Sequence, residues 1–188
     1  MTGSQDSPTS SPPPFDRGLV ELFTGDGKGK TSAALGIALR ALGHNLRVHI
    51  IFFMKGSNYP YGERQILPRL PNISFSSFGQ DYFVDPDNVT PEAKEEARKG
   101  LEKAREVIQS GSYDVVILDE INVVVGWKLL EVSDVLELIR HKPGNVELIL
   151  TGRYAAPELI EAADLVSEVV SIKHPYQRGV AARRGIDY

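Results

Sequence analysis

Three short runs in this 188-residue chain leave no face for water. They are Val48 to Phe53, interrupted only by His49, then Val115 to Leu118 and Leu148 to Leu150. A strand wetted on one side alternates polar and apolar residues. A continuous apolar run has to be covered on both sides, as in parallel sheets packed between helices. The full strand candidates are Leu19–Phe23, Arg47–Phe53, Ile73–Phe78, Asp114–Leu118, Val146–Leu150 and Val169–Ile172. Helical patterns lie between them, over Thr31–Leu42, Pro91–Gln109, Ser133–His141 and Pro157–Ala163. Thr90-Pro91-Glu92 supplies an N-cap hydroxyl, a proline at the first helical position and an acid facing the positive end of the dipole. Ser133-Asp134 starts a helix in the same way, and Pro143-Gly144 stops it. The alternation predicts a three-layer α/β fold with a mostly parallel, five- to six-stranded sheet and right-handed crossovers.

Between the first strand and the first helix lies Thr24-Gly25-Asp26-Gly27-Lys28-Gly29-Lys30-Thr31-Ser32. Glycines let successive backbone N–H groups converge on phosphate oxygens, and the helix N-terminus adds positive potential. Lys30 brings an ammonium, and the Thr31 hydroxyl is placed to hold Mg²⁺. This makes the fold a phosphate-loop fold of the RecA-like kind, with Gly25 to Ser32 binding a nucleotide. The spacing is short by one: three residues separate Gly25 from Gly29, where the usual pattern has four. A flexible linker that happens to hold lysines is the bland alternative. The strand before the loop and the helix formers after it argue against that.

Residues 1–16 are rich in Ser, Thr and Pro, including Pro12-Pro13-Pro14, and read as a disordered arm. Residues 17–188 are expected to form one domain, long enough to bury a substantial core. A net charge of −4 and a pI near 5.6 argue against a dedicated nucleic-acid binder. The absence of cysteine rules out disulfides, zinc–thiolate sites and thiol nucleophiles, and fits a reducing cytoplasm. No apolar run reaches the roughly 18 residues that a membrane span needs, and the N-terminus has no signal-peptide pattern.

The strand Asp114 to Leu118 runs into Asp119 and Glu120. An acid at that place in a phosphate-loop protein holds Mg²⁺ beside the loop hydroxyl. Glu120 is the preferred direct ligand, with Asp119 as a supporting acid, and sequence does not separate the two. Arg153 follows another buried strand, so its guanidinium should emerge at the same edge, either on triphosphate oxygens or in a surface salt bridge. Lys28 brings a second ammonium to the loop. Arg40 is a further candidate for the nucleotide, although nearly three helical turns after Lys30 it also reads as part of a solvated face. Phe75, Phe78, Tyr82 and Phe83 suggest an apolar wall beside the nucleotide. His174 reads as structural, since no acid or histidine sits at ligand spacing.

Further segments resemble one family in order along the chain. They are Ala38 to His44, Phe53-Met54-Lys55-Gly56, Tyr61-Gly62-Glu63-Arg64, Val116 to Asn122, Leu150-Thr151-Gly152-Arg153, Ala163 to Glu168, and Lys173-His174-Pro175 on to Gly185-Ile186-Asp187-Tyr188. Together with the shortened loop, they resemble the ATP:corrinoid adenosyltransferases of the CobA/BtuR type. The resemblance implies an enzyme whose substrates are ATP and a corrinoid reduced to Co(I). The cobalt attacks the 5′-carbon of ATP and inorganic triphosphate leaves, in adenosylcobalamin biosynthesis or salvage. Lys30 and Arg153 would then act on the leaving group, with Mg²⁺ on Thr31 and on Glu120 or Asp119. Phe78, Tyr82 and Phe83 would line the corrinoid. Here the chain departs from its relatives, since Val84 follows and there is no tryptophan. The resemblance further implies a homodimer and a flavoprotein or other low-potential electron donor. Two other classes fit the loop alone: a small nucleoside kinase or ATPase, and a non-catalytic nucleotide-binding module.

Overall fold

All six strands run parallel, in the order β3-β2-β4-β5-β1-β6. The structure, a computed structural model, describes residues 15–188 except positions 57, 59 and 83. The expected arm therefore lies almost wholly outside the described residues, as does Phe83. The strands are β1 (Val20–Thr24), β2 (Val48–Phe52), β3 (Ile73–Ser77), β4 (Val115–Asp119), β5 (Glu147–Thr151) and β6 (Leu165–Glu168). The α-helices are α1 (Lys30–Gly43), α2 (Gly62–Ile66), α3 (Pro91–Gln109), α4 (Ile121–Gly126), α5 (Val132–Arg140) and α6 (Pro157–Ala162), and short 3-10 turns cover Leu67–Arg69 and Pro175–Arg178.

Strand periodicity sorts the apolar runs into two cores, one on each face. Ile50, Phe52, Val115, Ile117 and Ile149 pack with Ala34, Ala38 and Ala41 of α1. Ile51, Phe53, Val116, Leu118, Leu148 and Leu150 pack on the other face with α3, α4, α5 and α6. The continuous runs are therefore covered on both sides, which is why they lack a polar face. On α3 the buried positions are Ala93, Ala97, Gly100, Leu101, Ala104, Val107 and Ile108, a single helical stripe. Its start is as the sequence implies: the Thr90 hydroxyl accepts from the Ala93 N–H at 3.2 Å.

Three local details differ from expectation. The last strand is Leu165–Glu168, not Val169–Ile172. Asp164 accepts from the Val20 N–H at 2.9 Å and sets the start of pairing with β1. The chain then turns off the sheet, and Ile172 is 94% exposed. An edge strand needs no continuous apolar run, and β6 is mostly exposed while the more apolar stretch after it lies off the sheet. Helix α5 begins ahead of Ser133, and Asp134 is the side chain that caps it by accepting from the Glu131 N–H at 3.2 Å. Helix α4 is buried from Ile121 to Val125 and carries no amphipathic period to read.

His49 is the one polar interruption of β2, and it is buried. Its ring nitrogens lie 2.7 Å from the Ser74 hydroxyl and 3.1 Å from that of Ser76, and its ring packs 5.0 Å from Tyr113. Burial, with Lys103 adding to it, pushes the imidazole down to about 4. The folded protein thus keeps His49 neutral while the unfolded chain takes up a proton below about pH 6.5. Stability from this group is complete above pH 6.5 and falls as the pH drops toward 4. Denaturant titrations across that range should show the wild type losing roughly 3 kcal/mol more than His49→Gln.

Space on the two helix faces makes a second expectation. A Cβ on Gly100 would stand 2.5 Å from the Phe53 ring, whereas one on Gly36 of α1 meets nothing within 4 Å. Thermal melts should therefore show Gly100→Ala destabilised by about 1–3 kcal/mol and Gly36→Ala stabilised by about 0.5–1 kcal/mol.

Candidate active site

One row of side chains crosses the carboxyl edge of the sheet. Register places Ser77 beside Phe52, Phe52 beside Asp119, and Thr151 beside Phe23. The gap between Asp119 and Thr151 is closed by the Thr151 hydroxyl, which donates to Asp119 Oδ1 at 2.8 Å. By strand parity this row lies on the face covered by α1, so the acid at the end of β4 and the loop before α1 share one edge.

The loop is held by its own lysine and by the segment after β6. Lys30 is buried, and its ammonium donates to the carbonyls of Gly25 at 2.7 Å and Gly27 at 2.8 Å. Burial pushes this ammonium below its ordinary range, against the pull of Glu120 and Asp26. The Gly27 N–H donates to the Val169 carbonyl at 2.6 Å, and the Val169 N–H to the Thr24 carbonyl at 2.8 Å. Thus 169–170, read as strand from sequence, is instead the rail on which the shortened loop rests. Gly29 caps α1 with φ 125°, a conformation that suits glycine. Thr31 and Ser32 follow in the first turn of α1.

Asp119 is 1% exposed and both its oxygens are occupied. Lys55 Nζ donates to Oδ2 at 2.6 Å, while Thr151 holds Oδ1. Burial would lower the Lys55 pKa, but the Asp119 carboxylate, with Glu63 and Glu120, outweighs it and raises it. Glu120 turns out of the strand in the left-handed region at φ 65°, and its N–H donates to the Thr151 hydroxyl at 2.9 Å. Its carboxylate accepts no hydrogen bond from a described residue, and its charged neighbours are Asp119, Lys55, Lys30 and Arg153. Burial first, and Asp119 second, raise its pKa. An acceptor-only group with free lone pairs beside a second acid suits a hard cation. Among the described residues no group of three or more His, Asp or Glu could hold a metal alone, so phosphate and water oxygens would have to complete the shell.

Arg153 reaches the loop, donating from Nη2 to the Asp26 carbonyl at 3.2 Å, with Nε 3.9 Å from the Asp26 carboxylate. Lys28 pairs with Asp187 and donates to the Ile186 carbonyl at 2.9 Å. That ammonium holds the Asp187 carboxyl well below the usual range. Arg40 is exposed in the last turn of α1. Ten residues place it ~15 Å along the axis from Lys30, so the structure does not bring it to the loop. Phe78 is half-buried against the core below the loop 79–90, and Tyr82 is 57% exposed. His174 caps the turn Pro175–Arg178 by accepting from the Tyr176 N–H at 3.2 Å, a structural role.

Lys55, Thr151 and Asn122 were not singled out from sequence. Asn122 is fully buried and donates to the carbonyls of Gly152 at 3.2 Å and Phe23 at 3.4 Å, tying the ends of β1 and β5 together. A lysine two residues past one apolar run and a threonine directly after another are the available signal, but only the fold shows that both meet one carboxylate.

A wholly parallel sheet, with a glycine loop and Gly-Lys-Thr between its first strand and helix and an acid pair closing β4, defines a protein of the phosphate-loop α/β class. Within that class, residues 16–188 match the family described as ATP:corrinoid adenosyltransferase BtuR/CobO/CobP, and the chain belongs to that family. It is 35% identical over 173 residues to the corrinoid adenosyltransferase of Escherichia coli (strain K12), covering 92% of this chain and 87% of that protein. The corrinoid adenosyltransferase CobA of Salmonella typhimurium is 34% identical over 174 residues, at the same coverage. That of Pseudomonas aeruginosa is 34% identical over 175 residues, covering 92% and 85%.

The rail under the loop carries its own expectation. A Cβ on Gly27 would meet the Val169 carbonyl oxygen at 2.6 Å and the Val170 carbonyl carbon at 2.8 Å, both backbone. Gly27→Ala should cost about 1–3 kcal/mol of stability and weaken ATP binding, as read by melting and by calorimetric titration.

Proposed function

We propose that this chain transfers the 5′-deoxyadenosyl group of ATP to the Co(I) centre of a reduced corrinoid and releases triphosphate, in adenosylcobalamin biosynthesis or salvage. The observation that carries the reading is the family match over residues 16–188, on a chain whose Gly-Lys-Thr loop faces Glu120. The cobalt lone pair forms the Co–C5′ bond as the C5′–O bond breaks, and the electrons of that bond leave with the triphosphate. Nothing has to be deprotonated, so no general base is needed. The protein's part is to place the 5′-carbon in line and to stabilise a departing polyanion.

Lys30 and Arg153 are the catalytic groups in this reading, because both bring positive charge to the loop that would hold the leaving group. Gly25, Asp26, Gly27, Lys28, Gly29, Thr31 and Ser32 wrap the phosphates. Thr31 and Glu120 hold Mg²⁺, which when bound supplies further charge neutralisation. Asp119 supports that pair, and Arg40 is left out because of its distance. Phe78 and Tyr82 are assigned to the corrinoid side of the site, and Phe83, assigned with them from the resemblance, lies outside the described residues. The family reading also supports a homodimer, a flavoprotein or other low-potential donor for reduction, and a cytoplasmic setting. No described helix is long and apolar enough to cross a membrane.

Mixing the protein with ATP, Mg²⁺ and chemically reduced cobalamin should change the corrinoid spectrum and release one triphosphate per corrinoid. Lys30→Ala should lower kcat about 10²–10³-fold. Release of ADP or phosphate without corrinoid would move the protein to the kinase or ATPase class, and binding without product to the binding modules.

A further inference from the structure

The structure assigns Lys55 and Thr151 as positioning residues: they lock Asp119 away from the metal and aim Glu120 at it. This rests on the reading above, in which Glu120 is the metal's carboxylate.

Asp119 sits where a phosphate-loop protein carries a metal acid, yet its two oxygens are taken by Thr151 at 2.8 Å and Lys55 at 2.6 Å, and it is 1% exposed. To reach a cation it would have to give up a buried ion pair, which is costly. The partners are themselves fixed. The Lys55 ammonium lies 5.0 Å from the Phe52 ring centroid and 4.8 Å from that of Tyr61. The Lys55 carbonyl accepts from Arg64 at 3.0 Å, and its N–H donates to the Phe78 carbonyl at 3.4 Å.

Thr151 joins this buried pair to the backbone of Glu120. Its hydroxyl donates its one hydrogen to Asp119 and accepts from the Glu120 N–H at 2.9 Å. Glu120 stands at φ 65°, which a side-chain-bearing residue keeps only where neighbours impose it. The Thr151 hydroxyl is such a constraint, and it fixes the backbone from which the Glu120 side chain projects. The chain Lys55–Asp119–Thr151–Glu120 therefore acts on the metal through one orienting contact, as the outer partners of metal ligands do.

ATP affinity measured by calorimetric titration, with Mg²⁺ and again with EDTA, tests this in the full chain. Thr151→Val should weaken ATP binding about tenfold with Mg²⁺ and leave the EDTA value unchanged, while Thr151→Ser should restore the wild-type value. In a Glu120→Gln background, Thr151→Val should add no further Mg²⁺-dependent loss. Equal losses with and without Mg²⁺, or no loss, would overturn the assignment. If Glu120→Gln itself leaves Mg²⁺-dependent binding intact, the metal reading of Glu120 falls instead. Should Thr151→Val not fold, Lys55→Gln compared with Lys55→Arg carries the same readings, loss and rescue.

Discussion

A carboxylate buried in the middle of a sheet has to be answered by its neighbours, and Asp119 determines much of this architecture. It ends β4 between β2 and β5, so its partners can only come from those strands and the loops after them. β5 supplies the Thr151 hydroxyl and the segment after β2 supplies Lys55. Removing either leaves a buried polar group short of a partner, typically a loss of several kcal/mol where a charge is stranded. The aromatic walls around Lys55, the turn at Glu120 and the clamp by Asn122 all adjoin this centre, so Lys55, Glu120 and the ends of β1 and β5 share one foundation.

Charge explains why such a foundation is worth its folding cost. Lys28, Lys30 and Arg153 gather at a loop that carries Asp26 and lies near Glu120. In the structure each cation rests on protein: Lys30 on loop carbonyls, Arg153 on Asp26, and Lys28 on Asp187. In the function proposed above, a polyphosphate would take over these groups, and until then buried Lys30 is not left unpaired.

Much of this was legible in the sequence, for reasons that differ by element. Doubly buried strands betray themselves by continuous apolar runs, and α3 matches its predicted span, Pro91–Gln109, because proline, cap and stripe agree. The phosphate loop is legible because its chemistry demands particular residues in sequence. Edge strand β6 is not, since three of its four residues are exposed and the apolar residues just beyond it look more strand-like. Helix α4 is hidden by being buried all round. Lys55 and Thr151 are hidden for another reason: each is ordinary alone, and only strand order brings them to one carboxylate from positions 55 and 151. Arg40 shows the reverse, a residue near the loop in sequence that the rise of α1 carries away.

Strand order also has a consequence for the birth of the chain. β1 is made before the other described strands, yet it pairs with β5 and β6, so Val20 waits for Leu148 and Glu21 for Leu165. The loop that follows β1 leans on Val169 as well. Contacts so distant in sequence slow folding, because loop closure precedes any gain. On a ribosome, β2, β3 and β4 can assemble while β1 stays unpaired, and a product stopped before Val169 carries every glycine of the loop without the backbone that the finished loop leans on. Order in the loop is therefore among the last things the growing chain acquires.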